Sequence, residues 1–67
     1  MINITVNDQP VEVDDGVSLD KLAADNGVGP NGAAIALNGK VVRRAQWPET
    51  KLGEGDVVLI INAAYGG

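Results

Sequence analysis

The sequence contains no cysteine and no histidine, and Trp47 and Tyr65 are its only aromatic residues. Without cysteine, the chain can form no disulfide, no thiol nucleophile and no thiolate metal site. Without histidine, it lacks the side chain whose pKa best suits proton transfer near neutral pH. No acidic segment has the spacing of a calcium or magnesium loop. We therefore expect a protein that is not an enzyme, with no catalytic residue, no metal and no bound cofactor.

Positive charge and long apolar segments are also scarce. Five Lys and Arg residues stand against nine Asp and Glu residues, so the net charge is −4 at pH 7. Such a surface suits neither nucleic acid nor an anionic membrane, and it would be attracted to a basic groove on a protein partner. The longest apolar run has five residues, and the N-terminus lacks the segments of a signal peptide. We expect a cytoplasmic protein.

The 67 residues suffice for one domain, and their periodicity predicts strands and one helix. Alternating apolar residues predict a first hairpin over residues 2–13, with a turn at residues 7–9. Ser18 is a suitable N-cap for a two-turn helix over residues 19–26, and Gly27 is a suitable left-handed C-cap. Asn38-Gly39 lies between two apolar segments, which is the strongest short-range signal for a second hairpin.

The last third of the sequence predicts a central strand with an open face. Trp47-Pro48 begins a stretch that we expect to be irregular and to be held to the core by Leu52, and a turn at residues 53–56 follows. The run "VVLII" (residues 57–61) is apolar on both faces, as is typical of a central strand. A two-turn helix covers only one face of a sheet. The outward residues of this strand therefore form an apolar patch for a partner, or a loop such as the one around Trp47 covers them.

Three motifs could indicate chemistry, and for each we favour a structural explanation. Residues 27–32 match the dinucleotide pattern G-x-G-x-x-G, but they follow a helix and contain Pro30, so we interpret them as a loop. Asp14-Asp15 precedes a helix, where the helix dipole favours acidic residues, and this outweighs a catalytic carboxylate pair. Arg43-Arg44 fits a solvated surface pair better than a clamp for phosphate or carboxylate.

The sequence ends in "AAYGG" (residues 63–67), which is the most distinctive of its features. Glycine has no Cβ, so a diglycine can pass through a slot that is too narrow for side chains. We expect residues 62–67 to form a flexible tail, which reaches about 20 Å when extended and could carry the Gly67 carboxylate into another enzyme. A carboxylate is a poor acyl donor until it is adenylated. Because this chain has no nucleotide site, the partner would have to supply the nucleotide, its metal and the positive charge.

These features together resemble one known family. The Asn38-Gly39 turn followed by "KVVRRAQW", the Gly55-Asp56 turn before the last apolar strand, and the terminal Gly66-Gly67 are similar to the ThiS sulfur carriers of thiamine biosynthesis. The resemblance covers residues 1–67 and implies one ubiquitin-like domain of the α+β class. The implied fold is a β-grasp, a mixed sheet with one short helix on one face. Tyr65 departs from the family, in which a small or aliphatic residue is common before the diglycine.

The resemblance also implies a reaction cycle at Gly67. A ThiF-like adenylating enzyme would convert the Gly67 carboxylate to an acyl-adenylate with ATP. Sulfur from a persulfide donor would then replace AMP to give a thiocarboxylate, and a ThiG-like thiazole synthase would take up that sulfur. ATP and sulfur would thus reach the chain through partner enzymes, with no cofactor bound to the chain itself.

The same resemblance assigns two groups of site residues. The partner enzymes would recognise Tyr65, Gly66 and Gly67 in the tail. By analogy with the family, Val58 and Ile60 point toward the helix. The outward residues then form a docking patch, which consists of Val57, Leu59 and Ile61.

Three alternatives remain open from the sequence. The chain could carry sulfur for another product, such as molybdopterin, cysteine or thiolated tRNA, because terminal Gly-Gly is shared with ubiquitin and the molybdopterin-synthase small subunit. It could be a protein modifier, in which Gly67 forms an isopeptide bond to lysine. It could also be a β-grasp interaction module whose tail is inert.

Overall fold

The computed structural model describes residues 1–28 and 33–62, and within them it contains five strands, one α-helix and one 3₁₀ helix. The α-helix, α1, covers Leu19–Asp25, and the 3₁₀ helix covers Arg44–Glu49. The strands are β1 (Ile2–Val6), β2 (Gln9–Val13), β3 (Ala33–Leu37), β4 (Lys40–Val42) and β5 (Val57–Asn62). Among the described residues, no helix has the length and apolar character that crossing a membrane requires.

The strands form one mixed sheet in the order β2-β1-β5-β3-β4. β5 lies at the centre, parallel to β1 and antiparallel to β3, as its apolar sequence predicts. The two outer pairs are antiparallel hairpins. The predicted α+β architecture, a mixed sheet with one short helix, is therefore confirmed. β5 includes Asn62, so regular structure continues one residue into the segment that we expected to be tail.

Both hairpins turn on an asparagine in the left-handed region. Asn7 and Asn38 each have φ of 51°, and the next residues, Asp8 and Gly39, have φ of 68° and 87°. Two successive residues with positive φ are typical of a type I′ turn, whose twist matches that of the paired strands. The predicted Asn38-Gly39 turn is confirmed. The first turn also has only two central residues, so β2 begins at Gln9 rather than one residue later.

The predicted caps of α1 are both present. The Ser18 hydroxyl oxygen accepts a hydrogen bond from the Lys21 backbone N–H at 3.2 Å. Gly27 is in the left-handed conformation, with φ of 75°, directly after the C-cap residue Asn26. The helix ends at Asp25, one residue earlier than expected, because Asn26 has already left helical geometry.

The core lies between the sheet and the two helices. Its buried members come from β1, α1, β3, the 3₁₀ helix, the segment that follows it, and β5: Ile4, Val6, Leu19, Leu22, Ala23, Ile35, Trp47, Leu52 and Val58. Leu52 holds its segment to this core as predicted, and its N–H donates to the Val17 carbonyl at 2.9 Å.

The segment around Trp47 was expected to be irregular, and that prediction is wrong. It forms a 3₁₀ helix in which Pro48 is an interior residue. The Trp47 side chain is only 1% exposed, and its indole N–H donates to the Val42 carbonyl at 2.9 Å. Burying this large ring while satisfying its N–H draws the segment into a tight turn against α1. The Thr50 hydroxyl closes that turn by donating to the Gln46 carbonyl at 2.7 Å.

Candidate functional site: the open face of the sheet

The two faces of β5 differ in their exposure to solvent. Val58 is 1% exposed and belongs to the core, whereas Val57, Leu59 and Ile61 are 49%, 47% and 50% exposed. Alternation along a strand produces this difference, since successive side chains point to opposite faces. The predicted facing of these residues is thus observed, with Ile60 half-buried against the core. The alternative of a covering loop around Trp47 is wrong, because Trp47 packs into the core on the helix side.

The exposed apolar surface extends beyond β5 to the edge of the sheet. Leu59 is paired with Ala36, and Ala36 is paired in turn with Val41 of β4. Paired residues on neighbouring strands share a face, so the three side chains form one row. Val41 is the most exposed large apolar residue in this row. With Val57, Leu59 and Ile61 it makes up what we call the open-face patch.

Val41 was not predicted from the sequence, although a signal for it was present. A two-residue Asn-Gly turn pairs the residues on either side of it, here Leu37 with Lys40. The next pair outward is then Ala36 with Val41. Counting from the turn thus places Val41 on the same face as Ala36, and the pairing of β3 with β5 then brings both beside Leu59.

The open face is uneven because it combines small side chains on β3 with the two hairpin turns. Alanine at positions 34 and 36 leaves a low strip between the taller side chains of β5 and β4. At one end of β5, a shallow concavity of about 310 Å³ lies between the turns. Its lining is mostly apolar and consists of Asn7, Asp8, Ala36, Gly39, Val57, Val58 and Leu59. The open face is therefore a contoured apolar surface with a carboxylate, that of Asp8, at its rim.

Asparagine side chains hold β5 in place on both of its edges. On the β3 side, the side-chain oxygen of Asn38 accepts a hydrogen bond from the Val57 N–H at 2.9 Å. On the β1 side, the side-chain oxygen of Asn7 accepts a hydrogen bond from the Ile60 N–H at 2.8 Å. An asparagine amide carries a donor and an acceptor, so it can pair with a strand as a peptide group does.

Charged residues from the motifs that could have indicated chemistry contact other parts of the fold. Asp15 forms an ion pair with the Met1 ammonium at 3.0 Å, and this hydrogen bond is the main cause of a raised pKa of that ammonium. The guanidinium of Arg44 lies 4.3 Å from the centre of the Trp47 ring, as a cation–π contact. Within residues 1–28 and 33–62, no acidic cluster has the makings of a metal site. Asp15 and Arg44 thus have partners within the fold.

Two predicted features lie wholly or partly outside the described residues. Of the G-x-G-x-x-G match, Gly27 follows the C-terminus of α1, as the loop interpretation requires, and residues 29–32 are not described. The tail residues Tyr65, Gly66 and Gly67 are also outside the described part of the chain. Their roles in recognition and reaction stay predictions.

A mixed sheet with a central last strand, one helix on one face and an apolar open face defines a ubiquitin-like β-grasp protein. Comparison with known proteins narrows this class. A family model described as the ThiS family matches residues 3–67, and the chain belongs to that family.

Individual relatives agree with this assignment along nearly the whole chain. The sulfur carrier protein ThiS of Escherichia coli is 30% identical over 66 residues, which are 98% of this chain and 100% of that protein. A crystal structure of the thiamine biosynthesis protein ThiS from Geobacter metallireducens has a TM-score of 0.81 at 29% identity, with coverage of 98% and 100%. A solution NMR structure of a thiamine biosynthesis protein from the same organism has a TM-score of 0.79 at 29% identity, with coverage of 98% and 88%.

Proposed function

We propose that this chain is a sulfur carrier that delivers sulfur for thiamine biosynthesis from a thiocarboxylate at Gly67. The observation that carries the proposal is the ThiS family match, which runs through residue 67 and so includes the diglycine. The Escherichia coli relative is a sulfur carrier protein, which supports the same role.

The proposed cycle begins with activation of the carboxylate. An oxygen of the Gly67 carboxylate attacks the α-phosphorus of ATP, and pyrophosphate leaves, so the product is an acyl-adenylate. The terminal sulfur of a persulfide then attacks the acyl carbon and AMP leaves. A second thiol cleaves the resulting S–S bond, which releases the thiocarboxylate and leaves a disulfide on the donor side. Thiazole synthase is the proposed acceptor of the sulfur.

In this cycle the chain supplies a carboxylate and a surface, and its partners supply the catalytic groups. We propose that the adenylating enzyme provides ATP, the metal and the positive charge that stabilises the departing pyrophosphate. The absence of cysteine supports this division, because no side-chain thiol competes with the terminus for sulfur. We assign the reaction to the cytoplasm, where thiols such as the one that cleaves the S–S bond stay reduced.

The open-face patch is the proposed docking surface for these enzymes. Four large apolar side chains, at positions 41, 57, 59 and 61, are about half exposed or more and lie together on one face, and contiguous apolar patches of this kind often mark a partner site. The net charge of −4 favours approach to a basic partner surface. Docking through the sheet would leave the residues after Asn62 to enter the partner's active site.

The experiment that tests the proposal measures the fate of the Gly67 carboxylate. The purified chain is incubated with an adenylating enzyme of thiamine synthesis, ATP and a persulfide donor, and its intact mass is followed. We expect a free protein with one oxygen replaced by sulfur, and loss of that product after alkylation or hydrolysis. Conjugates to lysine residues without any thiocarboxylate would contradict the proposal and identify a protein modifier.

A tail variant provides the matched control. Deletion of Gly67, or Gly67→Arg, should leave the melting temperature unchanged and abolish ATP–pyrophosphate exchange. Exchange that persists in the deletion variant would contradict the assignment of the reactive group to Gly67.

A further inference from the structure

We propose that Asn7 is a positioning residue for the terminal carboxylate. Its side chain takes the place of a strand residue beside Ile60, and it thereby sets the direction in which β5 leaves the sheet. The inference rests on the proposed function, because that function requires the chain after β5 to carry its terminus into a partner's active site.

The need for Asn7 arises because β1 is too short to accompany β5 to its end. The parallel pairing between them covers only Thr5 with Val57 and Val6 with Val58. After Val6 the chain reverses direction in the first hairpin turn. On the other edge of β5, pairing with β3 continues as far as Asn62. Without a further partner, the last residues of β5 would be held on one edge only.

The Asn7 side chain supplies that partner. Its backbone N–H donates to the Val58 carbonyl at 2.9 Å, which is the last backbone contact of the β1 ladder. Its side-chain oxygen then accepts from the Ile60 N–H at 2.8 Å, and its side-chain nitrogen lies 3.4 Å from the Ile60 carbonyl oxygen. The amide group thus continues the hydrogen-bond pattern of the ladder across the turn.

The backbone of Asn7 is arranged to make this possible. Its φ of 51° is in the left-handed region, which asparagine tolerates better than other residues with a Cβ. That conformation is required by the turn and also carries the side chain to the edge of β5. Glycine at this position would keep the turn and remove both side-chain hydrogen bonds. Asn7→Gly is therefore a clean test of the side chain.

The second hairpin contains a matched control. Asn38 has the same φ of 51°, and its side-chain oxygen accepts from the Val57 N–H at 2.9 Å. Its side-chain nitrogen donates to a carboxylate oxygen of Asp56 at 3.1 Å. Asn38 therefore holds the start of β5 as Asn7 holds its end. Asn38→Gly removes equivalent bonds at the end of β5 that lies away from the tail.

The first measurement is amide hydrogen exchange in the full chain, and it does not depend on any partner. Asn7→Gly should raise the exchange rate of the Ile60 amide about tenfold or more and leave the Val58 amide unchanged, because only the former loses its acceptor. Asn38→Gly should leave the Ile60 amide protected. If Ile60 stays protected in Asn7→Gly, the side chain does not hold the strand and the inference is overturned.

The second measurement is ATP–pyrophosphate exchange with an adenylating enzyme that activates the unaltered chain. The four residues of the open-face patch are unchanged in Asn7→Gly, so we expect kcat to fall about tenfold and the KM for the carrier to change less, because a misdirected terminus reaches the reacting phosphorus less often. Asn38→Gly should keep its kcat. Equal kcat values for the two variants would overturn the inference.

A third variant separates the two hydrogen bonds of the Asn7 amide. Asn7→Asp keeps the acceptor for the Ile60 N–H and loses the donor, so its kcat should fall between those of Asn7→Gly and the unaltered chain. A kcat below that of Asn7→Gly would contradict the positioning role. Failure of the unaltered chain to be activated would instead refute the proposed function, and the hydrogen-exchange result would still decide the role of Asn7 in the strand.

Discussion

The two faces of β5 differ sharply in their exposure to solvent. Val58 is buried among core side chains, and Leu59, the next residue, is half exposed on the open face. Both are aliphatic, so composition alone does not distinguish them. What distinguishes them is that α1 and the 3₁₀ helix cover one face and that the opposite face has no such cover among the described residues. Apolar residues of one strand therefore stabilise the fold on one side and are available to a partner on the other.

The largest expected effect comes from placing a charge on the covered face of β5. Val58→Asp places a carboxylate without a partner in the core, which costs more than about 3 kcal/mol. A domain of this size has only about 3–5 kcal/mol of net stability, so the variant should be unfolded. Circular dichroism and thermal melting provide the measurement. A cooperative melt close to that of the unaltered chain would show that the assignment of faces is wrong.

The matched change on the open face should affect binding instead. Leu59→Asp leaves the carboxylate in water, so we expect its free energy of unfolding to change by less than about 1 kcal/mol. The same charge in an apolar interface should raise the KM for activation by the adenylating enzyme about tenfold or more. Leu59→Ser provides an uncharged control. Equal losses of melting temperature in Val58→Asp and Leu59→Asp would contradict the comparison. We prefer Val58 to Ile60 for this test because Ile60 is only half-buried.

Smaller effects are expected when the same substitution, isoleucine to valine, is made on each face of the sheet. Ile35 is fully buried on β3, and Ile61, which is paired with the neighbouring Ala34, is half exposed. Ile35→Val should lower the free energy of unfolding by about 1 kcal/mol, since it removes a packed methyl group. Ile61→Val should change it by less than about 0.5 kcal/mol. Urea denaturation measures both, and similar losses would indicate that the open face is packed in solution.

The smallest expected effect concerns an ion pair at the rim of the covered face. The Asp15 carboxylate raises the pKa of the Met1 ammonium above its ordinary value of 8.0. A raised pKa in the folded state means that the pair stabilises the fold below pH 8 and that this contribution is lost as the pH rises through the folded-state pKa. Asp15→Asn should return the pKa toward 8.0 in an NMR titration. Because both groups are exposed, the melting temperatures should differ slightly below pH 8 and converge above the folded-state pKa. A pKa that does not move would contradict the pairing.

Local patterns were sufficient to predict most of the elements. Ser18 and Gly27 bound α1 as their chemistry indicates, and Asn38-Gly39 forms the second hairpin. These signals depend on the backbone preferences of one or two residues and need no knowledge of the rest of the fold. The outward placement of Val57, Leu59 and Ile61, implied by the family resemblance, also agrees with the structure.

Two of the features that were missed depend on distant contacts. Trp47 forms part of a 3₁₀ helix because its ring is buried and its N–H finds the Val42 carbonyl. Asn7 looked like ordinary turn material, and its partner, Ile60, lies 53 residues away in the sequence. A local pattern carries no information about such a partner, because the hydrogen bond exists only once β5 has been placed beside β1.

By itself, the sequence determined the class of this protein: a small acidic chain without cysteine or histidine, with two hairpins, one short helix, and an apolar strand that leads to a diglycine. Local backbone preferences and strand periodicity suffice for these conclusions. Only the tertiary structure decided that Val41 joins the open face, that Trp47 closes the covered one, and that Asn7 and Asn38 hold β5 from its two edges. These features require strands distant in sequence to lie side by side, and it is packing around a shared core that brings them together.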